Sequence, residues 1–235
     1  MAARLTVFLH CIATQRPSPW LRWLSALLVL ATCLSLWGIY IPDLRDKALQ
    51  QFGPESLTTI ESWEQLITEQ ATADVASQLA GVNDFFNQNV SWVEDIEAYE
   101  SEDYWATPLE TMGRGVGDCE DFTIAKYATL ALLGVPPETM RLVYVRAKRN
   151  GLNQAHMVLA WYPSPNASPL ILDNLDYVIR PAHERQDLQP LFSFNGENLW
   201  LGNEAAATNQ EPTARISRWA TVVQRIREDG FTEGF

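Results

Sequence analysis

The stretch Gly117-Asp118-Cys119-Glu120-Asp121-Phe122-Thr123-Ile124-Ala125-Lys126-Tyr127-Ala128-Thr129-Leu130-Ala131-Leu132-Leu133 decides the fold. Phe122, Ala125, Ala128, Ala131 and Leu132 recur at helical spacing and supply an apolar face. Asp118 suits the N-cap position, and Gly134 followed by Pro136-Pro137 stops the helix. A polar, acid-rich start on an apolar helix places Cys119 in the first turn, where backbone N–H groups have no helical partner.

Strands follow the helix. Met140 to Ala147 alternates as a strand, Lys148-Arg149-Asn150-Gly151 is a polar turn, and Ala155 to Tyr162 forms a second strand. The Pro163–Pro169 loop leads into a third strand at Leu170 to Asp173, and Phe192-Ser193-Phe194 and Leu199-Trp200-Leu201 read as short later ones. Upstream, residues 56–88 read as helix, with Ser56 at a cap and Trp63, Leu66, Ile67, Val75, Leu79 and Val82 as the stripe. A closing helix is predicted over 213–228 through Ile216, Trp219, Val223 and Ile226. Helices, then the Cys119 helix, then an antiparallel meander make an α+β plan. Trp92, Tyr104 and Trp105 are expected to pack in the core rather than line a cleft.

The chemistry begins at Cys119, the one cysteine in residues 43–235. A thiol at a helix start is stabilised as thiolate by the helix dipole and by a neighbouring imidazolium. His156 lies in Ala155-His156-Met157-Val158-Leu159, and Asp173 closes Leu170-Ile171-Leu172-Asp173-Asn174. Nucleophile, base on a strand, and a carboxylate to orient the base come in a workable order. Taken singly, each has a plainer reading: a small buried apolar residue, a packed histidine, a turn-forming aspartate. The combination is what points to thiol chemistry.

Asp118, Glu120 and Asp121 complicate that picture, because negative neighbours raise a thiol pKa. Two explanations stand, capping of the helix and binding of Ca²⁺ through oxygen ligands, and spacing alone favours capping. Zinc is disfavoured, since only His156 and His183 accompany the thiol outside the N-terminal segment. The run Met112-Gly113-Arg114-Gly115-Val116-Gly117 reads as a loop, but lacks the Gly-Lys-Ser/Thr ending of a phosphate loop.

Residues 1–42 carry three arginines and no acid, so the rest of the chain holds 14 basic against 29 acidic side chains, a formal charge of −15. Such a domain has no electrostatic reason to bind nucleic acid. Nine tryptophans and 47% hydrophobic residues are ample for a core. Trp23 to Ile41 carries no charge, and Arg16 and Arg22 precede it. That length lies between a cleavable signal peptide and a retained membrane anchor, and residues 1–42 fit either. Both predict an exported domain over residues 43–235. An unpaired thiol in an oxidising compartment is itself unusual.

With Gly-Asp-Cys-Glu-Asp (117–121), Ala-His-Met-Val (155–158) and Leu-Asp-Asn (172–174) in this order, the chain resembles the bacterial transglutaminase-like cysteine proteinases of the LapG type. The similarity spans about residues 55–230. It implies a papain/transglutaminase-like core, with Cys119 as nucleophile, His156 as base and Asp173 as its orienter. It also implies a Ca²⁺ site built with Asp118, Glu120 and Asp121, reversing the preference for capping. The resemblance further implies a periplasmic protease. Such an enzyme cuts a large surface adhesin near its N-terminus and releases cells from a biofilm. It is controlled by the periplasmic domain of an inner-membrane cyclic di-GMP receptor. Two other functions fit the same residues: transglutaminase-like acyl transfer, and a non-catalytic module that docks a receptor.

Overall fold

The computed structural model describes residues 41–235 except 166, 203–206, 209–210 and 232–233, with side chains from residue 43. The proposed signal or anchor over residues 23–41 lies outside this span apart from its last residue, and among the described residues no helix is long and apolar enough to cross a membrane. Among the described residues, six helices precede the main sheet: α1 (Ile41–Phe52), α2 (Ser56–Gln70), α3 (Val75–Asn89), α4 (Asp95–Tyr99), α5 (Pro108–Arg114) and α6 (Cys119–Leu132). Two short strands, β1 (Ser91–Trp92) and β2 (Val116–Gly117), pair in parallel between them. The main sheet comprises β3 (Met140–Arg149), β4 (Leu152–Trp161), β5 (Leu170–Leu172), β6 (Arg180–Pro181), β7 (Leu188–Phe194) and β8 (Leu199–Leu201). A short turn of helix, α7 (Pro212–Arg215), and α8 (Ser217–Asp229) close the chain.

The helix-plus-antiparallel-sheet plan holds, with departures in detail. The predicted helix over 56–88 is two helices, because Asp74 breaks it: its side chain accepts from the Ser77 N–H at 2.9 Å and caps α3. Ser56 begins α2 rather than capping it, and its hydroxyl donates to the Gly53 carbonyl at 2.6 Å. The closing helix is likewise interrupted, at Ile216, although Trp219, Val223 and Ile226 are buried as their spacing predicts. The predicted 112–117 loop is instead the end of α5, a left-handed Gly115, and β2.

The meander is only partial. Strand order in the sheet is β6-β5-β4-β3-β7-β8, so β7 returns to the free edge of β3 instead of continuing past β6. The β3–β4 hairpin is longer than its sequence pattern suggests, and its turn shrinks to Asn150-Gly151. Both residues have positive φ (50° and 81°), the backbone that a two-residue turn needs to match strand twist. Alternation along the strands makes both sheet faces apolar. Leu142, Met157, Leu159, Leu172 and Phe194 join the helical core, while Val143, Val145, Val158, Ala160 and Ile171 form a second cluster.

Helix α6 runs through the middle of the molecule. Its predicted single apolar face proves too modest: Phe122 to Ala131 are all buried, including Thr123, Lys126 and Thr129. Such a helix cannot turn away from its partners, so Cys119 at its start is held by packing along the whole element. Trp63 of α2 donates to the Thr129 hydroxyl at 3.0 Å, a polar tie within this interior.

Candidate active site

Cys119 opens α6 at the floor of a cleft of 990 Å³, whose lining includes Asp118, Glu120, His156, Trp92, Tyr144 and Tyr177. Local chemistry fixes this helix start. Asp118 accepts from the Glu120 N–H at 3.2 Å, and Asp121 Oδ2 accepts from the Asp118 N–H at 3.2 Å, closing a reciprocal capping box. Asp121 Oδ1 also accepts from the Ala106 N–H at 2.7 Å. Gly117 makes this fold-back possible, because a Cβ there would lie 2.8 Å from both the Cβ and Oδ2 of Asp121. Val93, the residue after β1, holds Gly117 in place by donating its N–H to the Gly117 carbonyl at 3.0 Å. Thr123 ties the helix to the sheet by donating to the carbonyls of Cys119 (2.8 Å) and Met157 (3.1 Å).

Opposite lies His156 on β4, 2% exposed, with Nε2 at 2.7 Å from Asp173 Oδ1. Asp173 follows β5 directly and is equally buried. Its Oδ1 also accepts from the Leu175 N–H at 2.9 Å, and its Oδ2 accepts from Arg185 Nη2 at 2.7 Å. Burial pushes this carboxyl up, but His156, Leu175 and Arg185 outweigh it and hold it at about 2. An ionised carboxylate only accepts, so Nε2 carries the proton and Nδ1 is the nitrogen left for chemistry. Asp187 completes the arrangement by pairing with Arg185 at 2.8 Å.

The acids around Cys119 have no such balance. Burial, then Glu120 and Asp118, push the Cys119 thiol well up, while the Met157 amide pulls the other way. Cys119 Sγ donates to Glu120 Oε2 at 2.9 Å. The helix dipole and imidazolium expected to stabilise a thiolate are thus opposed by burial and by Glu120 and Asp118, which favour the protonated thiol. Burial, then Glu120, Asp121 and Asp95, raise Asp118 to about 10, and Asp121 is also pushed up, chiefly by burial.

Two residues missing from the sequence reading join the cluster. Asp95 opens α4, and Asp103 lies in the loop after it. Carboxylate oxygens of Asp95, Asp118 and Asp121 lie within 4.8 Å of one another, as do those of Asp95, Asp103 and Glu120. Asp95 Oδ2 accepts from the Tyr104 N–H at 2.5 Å, but its Oδ1 is buried without a partner. Burial first, then Glu120 and Asp103, push Asp95 to about 6. Five converging carboxylates, one with an orphaned oxygen, are a donor set for a hard, oxygen-seeking cation such as Ca²⁺. Capping and cation holding are thus compatible roles for Asp118 and Asp121. Asp95 and Asp103 stand among other acids in the 94–103 stretch, and nothing in their spacing relative to Cys119 sets them apart.

Trp92 also departs from expectation: it is 55% exposed on the cleft rim, whereas Trp105 is buried and Tyr104 stacks on Tyr99 at 4.4 Å. A two-residue strand at the cleft edge leaves its side chain no interior to enter.

A sequence model described as bacterial transglutaminase-like cysteine proteinase BTLCP matches residues 58–187, a span holding Cys119, His156 and Asp173. The chain belongs to that family. Among solved structures this proteinase is similar to Legionella pneumophila LapG in its calcium-bound form, with 38% identity over 80% of this chain and 99% of that one, TM-score 0.70. The EGTA-treated form of the same protein matches at 38% identity, covering 80% and 98% of the two chains, TM-score 0.70. Among curated proteins no relative matches. A proteinase of this family with a papain/transglutaminase-like core accounts for the helices, the antiparallel sheet and the order of Cys119, His156 and Asp173 along the chain.

Proposed function

We propose that the protein is a Ca²⁺-dependent periplasmic cysteine endopeptidase, with Cys119 as nucleophile, His156 as base and Asp173 as its orienter. The observation that carries this reading is the buried His156–Asp173–Arg185 relay beside a thiol on the same cleft. Nδ1 of His156 takes the Cys119 proton as sulfur attacks a peptide carbonyl. Asp118 already occupies the Glu120 N–H, so the oxyanion is assigned to the Cys119 N–H at the helix start. The imidazolium then gives its proton to the leaving amine. Water, deprotonated by His156, hydrolyses the thioester and releases the new carboxyl end.

Asp95, Asp103, Asp118, Glu120 and Asp121 would hold Ca²⁺. When bound, it supplies positive charge beside the thiol and lowers its pKa. Glu120, engaged elsewhere, would release the thiol proton it now accepts. Support for Ca²⁺ comes from the orphaned Asp95 oxygen and from LapG having been solved calcium-bound.

The substrate in this proposal is a large surface adhesin cut near its N-terminus, freeing cells from biofilm, and a cyclic di-GMP receptor in the inner membrane restrains the enzyme. Family membership and the similarity to LapG support this assignment. The uncharged run Trp23–Ile41 supports export, with residues 1–42 as signal or tether. The test is incubation with adhesin N-termini from the same genome. Cleavage is expected with Ca²⁺, and Cys119→Ala is expected to lose at least about 10³-fold of it. Full cleavage by Cys119→Ala would reject the mechanism, and amine incorporation without cutting would assign acyl transfer instead.

A further inference from the structure

Lys126 is an ionisable residue in a place where charge is expensive, and burial lowers its amine to about 7. It lies seven residues after Cys119 on α6, two turns along, and is 1% exposed. An apolar side chain would fill this interior at lower cost, since a buried ammonium needs all its donors satisfied. Its Nζ reaches Asn87 Oδ1 at 2.8 Å, Asn83 Oδ1 at 2.9 Å and the Asp173 carbonyl at 3.2 Å. Three acceptors match the three N–H donors of the charged form.

The two asparagines, both on α3, point their remaining donors at the same loop. Asn87 Nδ2 donates to the Asp173 carbonyl at 2.8 Å, so that one oxygen takes two donors. Asn83 Nδ2 donates to the Tyr177 carbonyl at 2.8 Å. These carbonyls bracket residues 174–176, and residues 174–178 make one wall of the cleft. One Lys126 bond and both asparagine donors therefore end on the backbone that carries Asp173 or on that wall, and the other two Lys126 bonds tie the asparagines to α6.

Resting on the protease reading, we propose that Lys126, Asn87 and Asn83 are positioning residues. They form a buried strut that locks the peptide of Asp173 and the 174–178 wall to the helix bearing Cys119. The nucleophile and the anchor of its base's partner then ride on one rigid element, and the His156–Asp173 pair keeps its register to the sulfur. Arg185 fixes the Asp173 carboxylate from the sheet side, whereas the strut fixes its backbone from the helix side.

The test compares Lys126→Met, Asn87→Asp and Asn83→Leu as Ca²⁺-loaded full chains, with thermal melts beside two rates. One rate is alkylation of Cys119 by iodoacetamide, which reports the thiolate–imidazole pair without any substrate. The other is adhesin cleavage, split into kcat and KM. Lys126→Met is expected to slow alkylation and kcat about tenfold, with a smaller change in KM. Asn87→Asp keeps an acceptor for Lys126 but loses the donor to Asp173, and is expected to slow both about threefold. Asn83→Leu frees the wall at Tyr177 and is expected to act chiefly on KM. If Lys126→Met does not fold, the two asparagine variants decide. Folded variants that melt earlier yet keep wild-type alkylation and kcat would make the network merely structural and overturn the proposal. Wild-type protein that cuts no adhesin would count against the protease reading, while the alkylation series would still report on the strut.

Discussion

On the His156 side of the cleft each buried charge has a partner: Asp173 is held by His156 and Arg185, and Arg185 by Asp187. On the Cys119 side, a few ångströms of carboxylate oxygens converge from Asp95, Asp103, Asp118, Glu120 and Asp121, with Arg218 on Asp103 at 2.7 Å as counter-charge. One half is organised by the chain itself. The other carries more negative charge than its own residues neutralise, and the proposed cation would complete it. With one preformed half and one conditional half, the proposed cation would complete the Cys119 side without moving His156.

The largest expected effect attacks the conditional half. Chelation should lower cleavage by about two orders of magnitude or more and added Ca²⁺ should restore it. Asp118→Asn should weaken Ca²⁺ binding by calorimetry, and indifference of both assays would leave these acids to capping alone. Next, Arg185→Met strips the preformed half. It leaves a buried carboxylate with one partner fewer and should cost about 3 kcal/mol in urea unfolding, with a fall in kcat.

Stability against pH should separate the halves by sign. In chelated protein Asp95 and Asp118 have folded pKa values of about 6 and about 10, above the ordinary 3.8. The folded state then binds more protons than the unfolded, so stability falls as pH rises from about 4. Asp173 is held at about 2, so its contribution, about 2 kcal/mol, is present above 3.8 and lost as pH falls through 2. Added Ca²⁺ should raise Tm more at pH 8 than at pH 5. A Ca²⁺ shift independent of pH would contradict the charge assignment. The smallest effect belongs to the rim: Trp92→Ala should change stability by less than about 0.5 kcal/mol while raising KM for the adhesin.

Much of this was legible along the chain. Cys119, His156 and Asp173 stand out because their neighbours show helix-start, mid-strand and strand-end patterns, which are local signals with local causes. Helix α6 and the β3–β4 hairpin follow from the same short-range periodicity. The breaks at Asp74 and Ile216 were harder to see, since the apolar stripe continues across both, and a side-chain cap at the first and extended backbone at the second interrupt it. Trp92 was misplaced because hydrophobicity predicts burial, whereas its position on a two-residue edge strand decides exposure.

By itself the sequence determined the reactive types, their order and the elements that carry them, because capping, alternation and helical spacing act over a few residues. Only the tertiary structure decided that Asp95 and Asp103 join Asp118, that Arg185 backs Asp173, and that Lys126 reaches the Asp173 carbonyl. Those contacts bring together groups from separate elements, and electrostatic energy depends on distance in space rather than on separation along the chain.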